Sequence, residues 1–180
     1  MKWKLLFLLA FTTLQAAAQQ ATNLYKWAKI APAEMPVKSQ QPDYNLTVLL
    51  DESTFTKEKL YSNAEYYYEK LFSTSLTKKE GNNKISGVGT YTFGLSNNND
   101  DQGDYTANYV LDVVVKNGRY TMHMHSFTVT HEGVEINVVN RIDAAAKNDR
   151  TAKRLLDSFH RKNKDELKKL YDTMELETLP

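Results

Sequence analysis

The dipeptide Asn117-Gly118 most constrains how this chain can fold, because it stands between two long runs of alternating apolar and polar residues. Asn-Gly in that setting is the strongest short-range signal of a β-hairpin, since both residues tolerate the positive φ of a two-residue type I′ turn. Such a turn fixes the register, so that Lys116 faces Arg119. One face of the hairpin then collects Leu111, Val113, Val115, Tyr120, Met122 and Met124. The other face collects Val110, Asp112, Lys116, Arg119, Thr121, His123 and His125.

Two histidines on the polar face, His123 and His125, raise the question of a metal site. The register places Asp112 opposite His123, which makes these three residues candidate metal ligands. Two histidines on one strand can supply part of a zinc or iron site, but a site needs at least one further ligand held in fixed geometry. His131 lies about 20 Å further along a straight strand, too far to join. The pattern therefore favours a plain cross-strand pair between Asp112 and His123.

The second half of the hairpin changes its pattern after His125. Its apolar residues move to the parity of Phe127 and Val129. A one-residue change of parity predicts a β-bulge or the end of the strand near Ser126.

Residues before the hairpin predict a strand, a helix and a second strand. The run NLTVLL at 45–50 is rich in β-branched and apolar residues and predicts the first strand. The helix is predicted over 56–73, with Thr56 as N-cap and Glu58 in its first turn. Its apolar stripe, which indicates a buried face, consists of Leu60, Tyr61, Ala64, Tyr67, Tyr68, Leu71 and Phe72.

The second of these strands is predicted in KISGVGTYTFGL, residues 84–95, where Ile85, Tyr91 and Phe93 share one parity. Gly87 and Gly89 lie on the same parity, and small residues there allow a helix to approach closely or a bulge to form. The stretch lacks the lysine and the spacing of a phosphate-binding loop. The polar segment 96–104 predicts a hairpin tip, since it lacks the acidic twelfth residue of an EF-hand loop.

The C-terminal part predicts one more strand and a long helix. Val134, Ile136 and Val138 alternate with polar residues in a last strand, and the helix runs from about Asn148 to Glu175. Its apolar stripe thins over residues 160–164, which predicts a bend or the point where the helix leaves the domain. The basic residues in that run read best as a solvated helix face.

The first eighteen residues have the layout of a secretory signal peptide. Lys2 and Lys4 precede a short apolar stretch, and three alanines ending at Ala18 form a small-residue cleavage site. About ten apolar residues are too few to cross a membrane, which takes about 20. We therefore expect a periplasmic or secreted protein that has no transmembrane segment in its mature chain. The predicted organisation is a signal peptide at 1–18, a proline-containing lead-in at 19–43 and one domain at 44–176.

Composition excludes several classes of function. The sequence has no cysteine, and therefore neither disulfides nor thiolate ligands. Its 23 basic residues, two of them in the predicted signal, nearly balance 22 acidic ones. Nucleic-acid binding, which relies on clustered positive charge, is therefore not expected.

The predicted element order is β-α-β-β-β-β-α, and a sheet with one wet face predicts an α+β fold with two helices packed on one face of a curved antiparallel sheet. The segments TKEKLYSNAEYYYEKLF, NKISGVGTY and YVLDVVVKNGRYTMHMHSF resemble the domain-of-unknown-function family 4468 of exported Bacteroidetes proteins. The resemblance covers about residues 54–130 and implies a TATA-binding-protein-like, helix-grip-like fold. Where a tryptophan is expected in the helix, this chain has Tyr66-Tyr67-Tyr68. No catalytic residue and no DNA binding follow from the resemblance.

Three hypotheses for function remain. The leading one is an exported, non-enzymatic binding or interaction module of the bacterial envelope, without a cofactor, whose partner is an envelope protein. The alternative is a carrier of a small apolar ligand, held in a cavity between helix and sheet that is lined by Tyr67, Tyr68, Tyr120, Met122 and Met124. The third is a metal-dependent enzyme that uses Asp112, His123 and His125.

Overall fold

A computed structural model describes residues 26–72, 77–94 and 105–180. The chain divides between Ala31 and Pro32 into two compact units, and residues 26–30 of the first are helical. The strands of the second unit are β1 (Val37–Lys38), β2 (Gln41–Pro42), β3 (Tyr44–Leu49), β4 (Thr77–Glu80), β5 (Lys84–Phe93), β6 (Tyr105–Lys116), β7 (Arg119–His131) and β8 (Val134–Ile136). Its helices are α1 (Lys57–Tyr66), continued by a π-helical turn (Tyr67–Leu71), α2 (Val138–Ala146) and α3 (Arg150–Met174).

The predicted hairpin lies at the centre of a six-stranded antiparallel sheet. Strand order is β3-β7-β6-β5-β4, and β8 pairs with the far end of β7. Lys116 faces Arg119, Val115 faces Tyr120 and Leu111 faces Met124, so the predicted register is confirmed. The predicted bulge is confirmed as well, because Ser126 has a φ of 55° and the register shifts between Asn108 and Val110. The α+β class and its antiparallel sheet are therefore those that the sequence predicts.

The prediction of a type I′ turn at Asn117-Gly118 was wrong. Gly118 has the positive φ, at 59°, whereas Asn117 does not adopt one. Tertiary contacts set the turn: Gly118 N–H donates to Phe55 O at 2.8 Å, and Leu50 N–H donates to Gly118 O at 2.7 Å. The Asn117 side chain accepts from Lys57 N–H at 2.8 Å, at the start of α1. These bonds favour a conformation that a free hairpin would not choose.

Helix α1 begins as predicted and ends differently. Thr56 is its N-cap, and its hydroxyl accepts from Lys59 N–H. The π-helical turn after Tyr66 advances each residue by a smaller angle than an α-helix does, so the apolar stripe shifts. Leu71, predicted to be buried, is therefore 52% exposed, while Phe72 enters the core.

The glycines of β5 allow the aromatic side chains of this segment to approach the sheet. A Cβ on Gly87 would lie 2.7 Å from Tyr68 Cε1, and one on Gly89 would lie 2.7 Å from Phe72 Cζ. The Tyr68 hydroxyl donates to Leu111 O at 2.6 Å. This confirms the prediction that small residues permit close approach of a helix.

The C-terminal region departs most from the prediction. Strand β8 ends at Ile136, and Asn137 caps α2, so that Val138 is helical rather than a strand residue. Helix α3 begins after the N-cap Asp149 and continues without a break through residues 160–164. Asn163 is fully buried, which shows that the helix stays packed on the domain there. The prediction that the helix leaves the domain at 160–164 was therefore wrong. Strand β4 and the β1-β2 hairpin were not predicted, since their polar sequences carry no alternating pattern.

Helices α1 and α3 pack on the same face of the sheet, the face of Leu111 and Tyr91, and α2 packs on α3. On the opposite face, the described side chains are exposed or partly exposed. The largest fully buried side chains are Tyr44, Leu60, Tyr67, Ile85, Leu111, Tyr120, Met122, Met124, Phe159, Leu167, Leu170 and Tyr171.

Candidate functional site

The three candidate ligands Asp112, His123 and His125 lie together on the open face of the sheet. Pairing of β6 with β7 places Asp112 opposite His123, and His125 follows two residues along the same face. One ligand atom from each lies within 4.8 Å of those of the other two. All three side chains are partly buried.

The side-chain contacts differ from the predicted Asp112–His123 pair. His123 and His125 stack with ring centroids 4.2 Å apart, and this arrangement directs each ring to a different carboxylate. Nε2 of His125 lies 3.7 Å from Asp112 Oδ2. Nε2 of His123 instead lies 3.2 Å from both carboxylate oxygens of Asp43. The site is therefore two histidine–aspartate pairs side by side.

Asp43 is the member of this cluster that sequence reasoning missed. It lies between β2 and β3, in the segment that the sequence predicts to be a lead-in. Its position follows from the pairing of β3 with β7, in which Tyr44 faces Met124 and Asn45 faces His123. A proline-containing segment carries no register of its own. The only signal that could have indicated it is an acidic residue two positions before the first predicted strand.

The surroundings of Asp112 keep its carboxyl group ionised. Burial opposes the charge, but a hydrogen bond from Ser86 and the charges of Lys84 and His125 outweigh it, so the pKa of Asp112 lies below its ordinary value. Lys84 Nζ lies 3.3 Å from Asp112 Oδ2. Asp112 therefore presents a charged oxygen between an ammonium group and an imidazole.

The bulge in β7 orients the second histidine. Nδ1 of His125 lies 2.8 Å from Ser126 Oγ, next to the residue whose positive φ marks the bulge. A ring nitrogen held by a hydrogen bond leaves the other nitrogen, Nε2, directed at Asp112. A solvent-open groove of ≈ 470 Å³ runs beside the cluster and is lined by Gln41, Pro42, Asp43, His123, His125, Ser126, Phe127 and Thr128.

His131 takes no part in this cluster. It stands at the other end of β7, where its ring stacks on Tyr105 with centroids 4.4 Å apart. This position agrees with the separation of about 20 Å that six residues of straight strand predict.

The residues predicted to line a ligand cavity are packed in the core. Tyr67, Tyr68, Tyr120, Met122 and Met124 are at most 4% exposed. An apolar pocket where β5 and β7 meet α2 and α3, between Phe93 and Phe159, has a volume of ≈ 10 Å³, room for about one water molecule. Neither observation supports a cavity large enough for an apolar ligand.

The predicted signal peptide and its cleavage site at Ala18 lie outside the described residues, as does most of the predicted tip at 96–104. Within the part of the chain that is described, no helix is both long enough and apolar enough to span a membrane.

Comparison with known proteins places this chain among proteins of similar fold. Residues 44–130 match the family described as a domain of unknown function (DUF4468) with TBP-like fold. A TBP-like protein from Parabacteroides distasonis superposes with a TM-score of 0.64 at 11% identity, covering 78% of this chain and 97% of that one. A DUF4468 family protein from Bacteroides ovatus gives 0.57 at 15% identity, covering 85% and 98%. No curated protein matched the sequence.

Proposed function

We propose that this chain, whose residues 44–130 match the family DUF4468 with TBP-like fold, is an exported, non-enzymatic module that binds a protein partner in the bacterial envelope. The observation that carries the proposal is the uncovered side of the sheet. We call it the open face; the side chains at its centre are those of Asn45, Thr47, Ser86, Val88, Thr90, Asn108, Val110, Asp112, Thr121, His123 and His125, and charged side chains of Lys84, Lys116 and Arg119 lie towards its end.

The chemistry of the open face suits the surface of another protein. Most of these central side chains are small or β-branched, and such groups lose little conformational entropy when a partner covers them. Thr47 and Thr121 already hold each other through a hydrogen bond of 3.0 Å. Val88 is 43% exposed in the interior of strand β5. The face thus combines apolar contact area with hydrogen-bonding groups on a rigid sheet.

The β4 edge of the sheet is a less suitable contact surface than its face. Edge strand β4 carries Lys78, Lys79 and Glu80, and charged side chains on an edge oppose the addition of a further strand. Lys79 also forms an ion pair with Glu65, in which Nζ lies 2.8 Å from Oε1. A partner is therefore expected to cover the face rather than add a strand beside β4.

Export is supported by residues 1–18, which have the layout of a secretory signal peptide. The non-enzymatic character is supported by the open face itself, whose cluster of titratable groups lies in a broad groove rather than in an enclosed cleft.

Site-specific photocrosslinking in the native cell envelope tests the proposal. A photoreactive amino acid is placed at Val88 of the full-length chain, and a matched control carries it at Arg161, which is exposed on α3. We expect a defined protein adduct from position 88 in the envelope fraction and none from position 161. Adducts of equal yield from both positions would exclude the open face as the binding surface. A chain found only in the cytoplasm would contradict export.

Native mass spectrometry of the same purified protein addresses the carrier alternative. A mass equal to that of the polypeptide favours the interaction module, and a co-purified apolar molecule would favour the carrier.

A further inference from the structure

The two histidine–aspartate pairs lie side by side at the edge of the groove. His125 Nε2 faces Asp112 Oδ2 at 3.7 Å, and His123 Nε2 faces the Asp43 carboxylate at 3.2 Å. The stacked rings, with centroids 4.2 Å apart, hold the two imidazoles in parallel beside each other. Two imidazole nitrogens thus stand next to two carboxylate groups.

These spacings are close to those between the ligands of one metal ion. Zinc binds histidine nitrogen and carboxylate oxygen at about 2.0–2.2 Å, so two ligands in a tetrahedral shell stand about 3.3 Å apart. The observed 3.2 Å and 3.7 Å bracket that spacing. The ligand atoms of Asp112, His123 and His125, all within 4.8 Å of one another, would close on an ion through rotations of their side chains.

The neighbours of the cluster provide the second layer of contacts that metal ligands need. Ser126 Oγ holds Nδ1 of His125 at 2.8 Å, which leaves Nε2 as the nitrogen for an ion. Ser86 is hydrogen-bonded to the Asp112 carboxylate. The backbone of two paired strands fixes three of the four donors, so little ordering is required on binding.

We propose that Asp112, His123 and His125, with Asp43 as the fourth ligand, form a binding site for a divalent transition-metal ion of the zinc type. Mixed nitrogen and oxygen donors suit such ions better than calcium or magnesium, which take oxygen ligands. The ion would join the segment before β3 to the open face. This inference does not rest on the proposed interaction function, since the isolated chain would bind the metal.

Lys84 gives the proposal a specific signature. Its ammonium group lies 3.3 Å from Asp112 Oδ2, the same oxygen that faces His125, and therefore competes with the ion for that charge. Lys84→Gln should therefore strengthen metal binding at this site. If ions only bound nonspecifically to a negative surface, the same substitution would change their affinity little.

Titration with zinc chloride, followed by calorimetry, tests the site in the mature chain from Gln19, prepared without a polyhistidine tag and stripped with a chelator. Binding of cobalt(II) in place of zinc reports the coordination through its visible absorption bands. We expect one ion per chain, and His125→Gln or His123→Gln should weaken binding by more than about tenfold, at least the effect of losing a second-layer contact. Asp112→Asn and Asp43→Asn should weaken it as well. His131→Gln is the matched control and should bind as the wild type does.

Thermal unfolding of each variant in the presence of chelator verifies that it is folded. Absence of a saturable heat and of a cobalt spectrum in the folded wild type would overturn the proposal, and so would binding that survives His125→Gln or is lost equally in His131→Gln. Loss of binding in the cluster variants alone, with tighter binding in Lys84→Gln, would support it.

Discussion

The Tyr91 hydroxyl donates a hydrogen bond of 2.5 Å to Asn163 Oδ1 in the interior, joining β5 to α3. Asn163 Nδ2 donates to the Tyr44 hydroxyl at 3.3 Å, and this hydroxyl lies 2.9 Å from Nδ1 of His160. A polar chain therefore crosses the core from one strand to another through the long helix. The two members on α3, His160 and Asn163, occupy positions at which the apolar stripe of that helix is interrupted.

Asn163→Leu should lower the free energy of unfolding, because it leaves the buried hydroxyls of Tyr91 and Tyr44 without this partner. Each such group costs about 1–3 kcal/mol. Urea unfolding followed by circular dichroism measures the effect, and Asn45→Ala on the open face is the control, with a change within about 0.5 kcal/mol. An unchanged midpoint in Asn163→Leu would show that the polar chain does not stabilise the fold.

Gly87→Ala should destabilise the domain by about 1–3 kcal/mol, the usual range for an overpacked core. The new methyl group would lie 2.7 Å from Tyr68 Cε1 and 2.8 Å from Phe72 Cε1. Combining it with Phe72→Leu should cost less than the sum of the two single changes, because the smaller side chain removes one of the two contacts. Strict additivity in this double-mutant cycle would contradict the contact, and Thr90→Ala, on the opposite parity of β5, controls for changes within the strand.

Asn117→Ala should cost about 1 kcal/mol, as expected for the loss of a capping acceptor. The side chain of Asn117 accepts from Lys57 N–H at 2.8 Å, although it is 60 residues distant in sequence. Asn117→Asp keeps the acceptor and should retain most of the stability. Equal losses in the two variants would mean that the conformation of the turn, rather than this bond, makes Asn117 important.

Stability should decrease as the pH falls below about 6.5, in part because of His160. Burial lowers the pKa of His160 and the charge of Lys164 acts in the same direction, so the folded protein takes up a proton less readily than the unfolded chain. The contribution is complete above the unfolded pKa, near 6.5, and declines as the pH falls below it. Denaturant midpoints measured between about pH 5 and 8, the range in which histidine titrates, give the size of this decline.

His160→Gln should flatten that profile while His131→Gln, at the far end of β7, serves as the control for removal of an imidazole. A profile of His160→Gln that is as steep as that of the wild type would assign the pH dependence to other groups.

The central hairpin shows how much of the fold the sequence predicts. Alternation along β6 and β7 and the Asn-Gly dipeptide together give the register, the buried parity and the bulge near Ser126, because each is a local property of two adjacent strands. Strand β4 and the β1-β2 hairpin are not predicted from the sequence. Strands β4 and β1 are exposed along their whole length, and a strand with no buried face shows no alternation of apolar and polar residues. The alternation of Val134, Ile136 and Val138 predicts a strand that continues into the first turn of α2, although Asn137 ends the strand and caps the helix.

For the candidate site, the sequence by itself placed Asp112, His123 and His125 on one face, since strand periodicity is enough for that. Only the tertiary structure decided which carboxylate each imidazole meets, because Asp43 reaches His123 through the pairing of β3 with β7, 80 residues apart in sequence. The same holds for the turn, whose Asn117 keeps an ordinary φ because α1 and the loop before it bind both turn residues. Local sequence determined which residues share a face, and the packing of distant segments determined which of them touch.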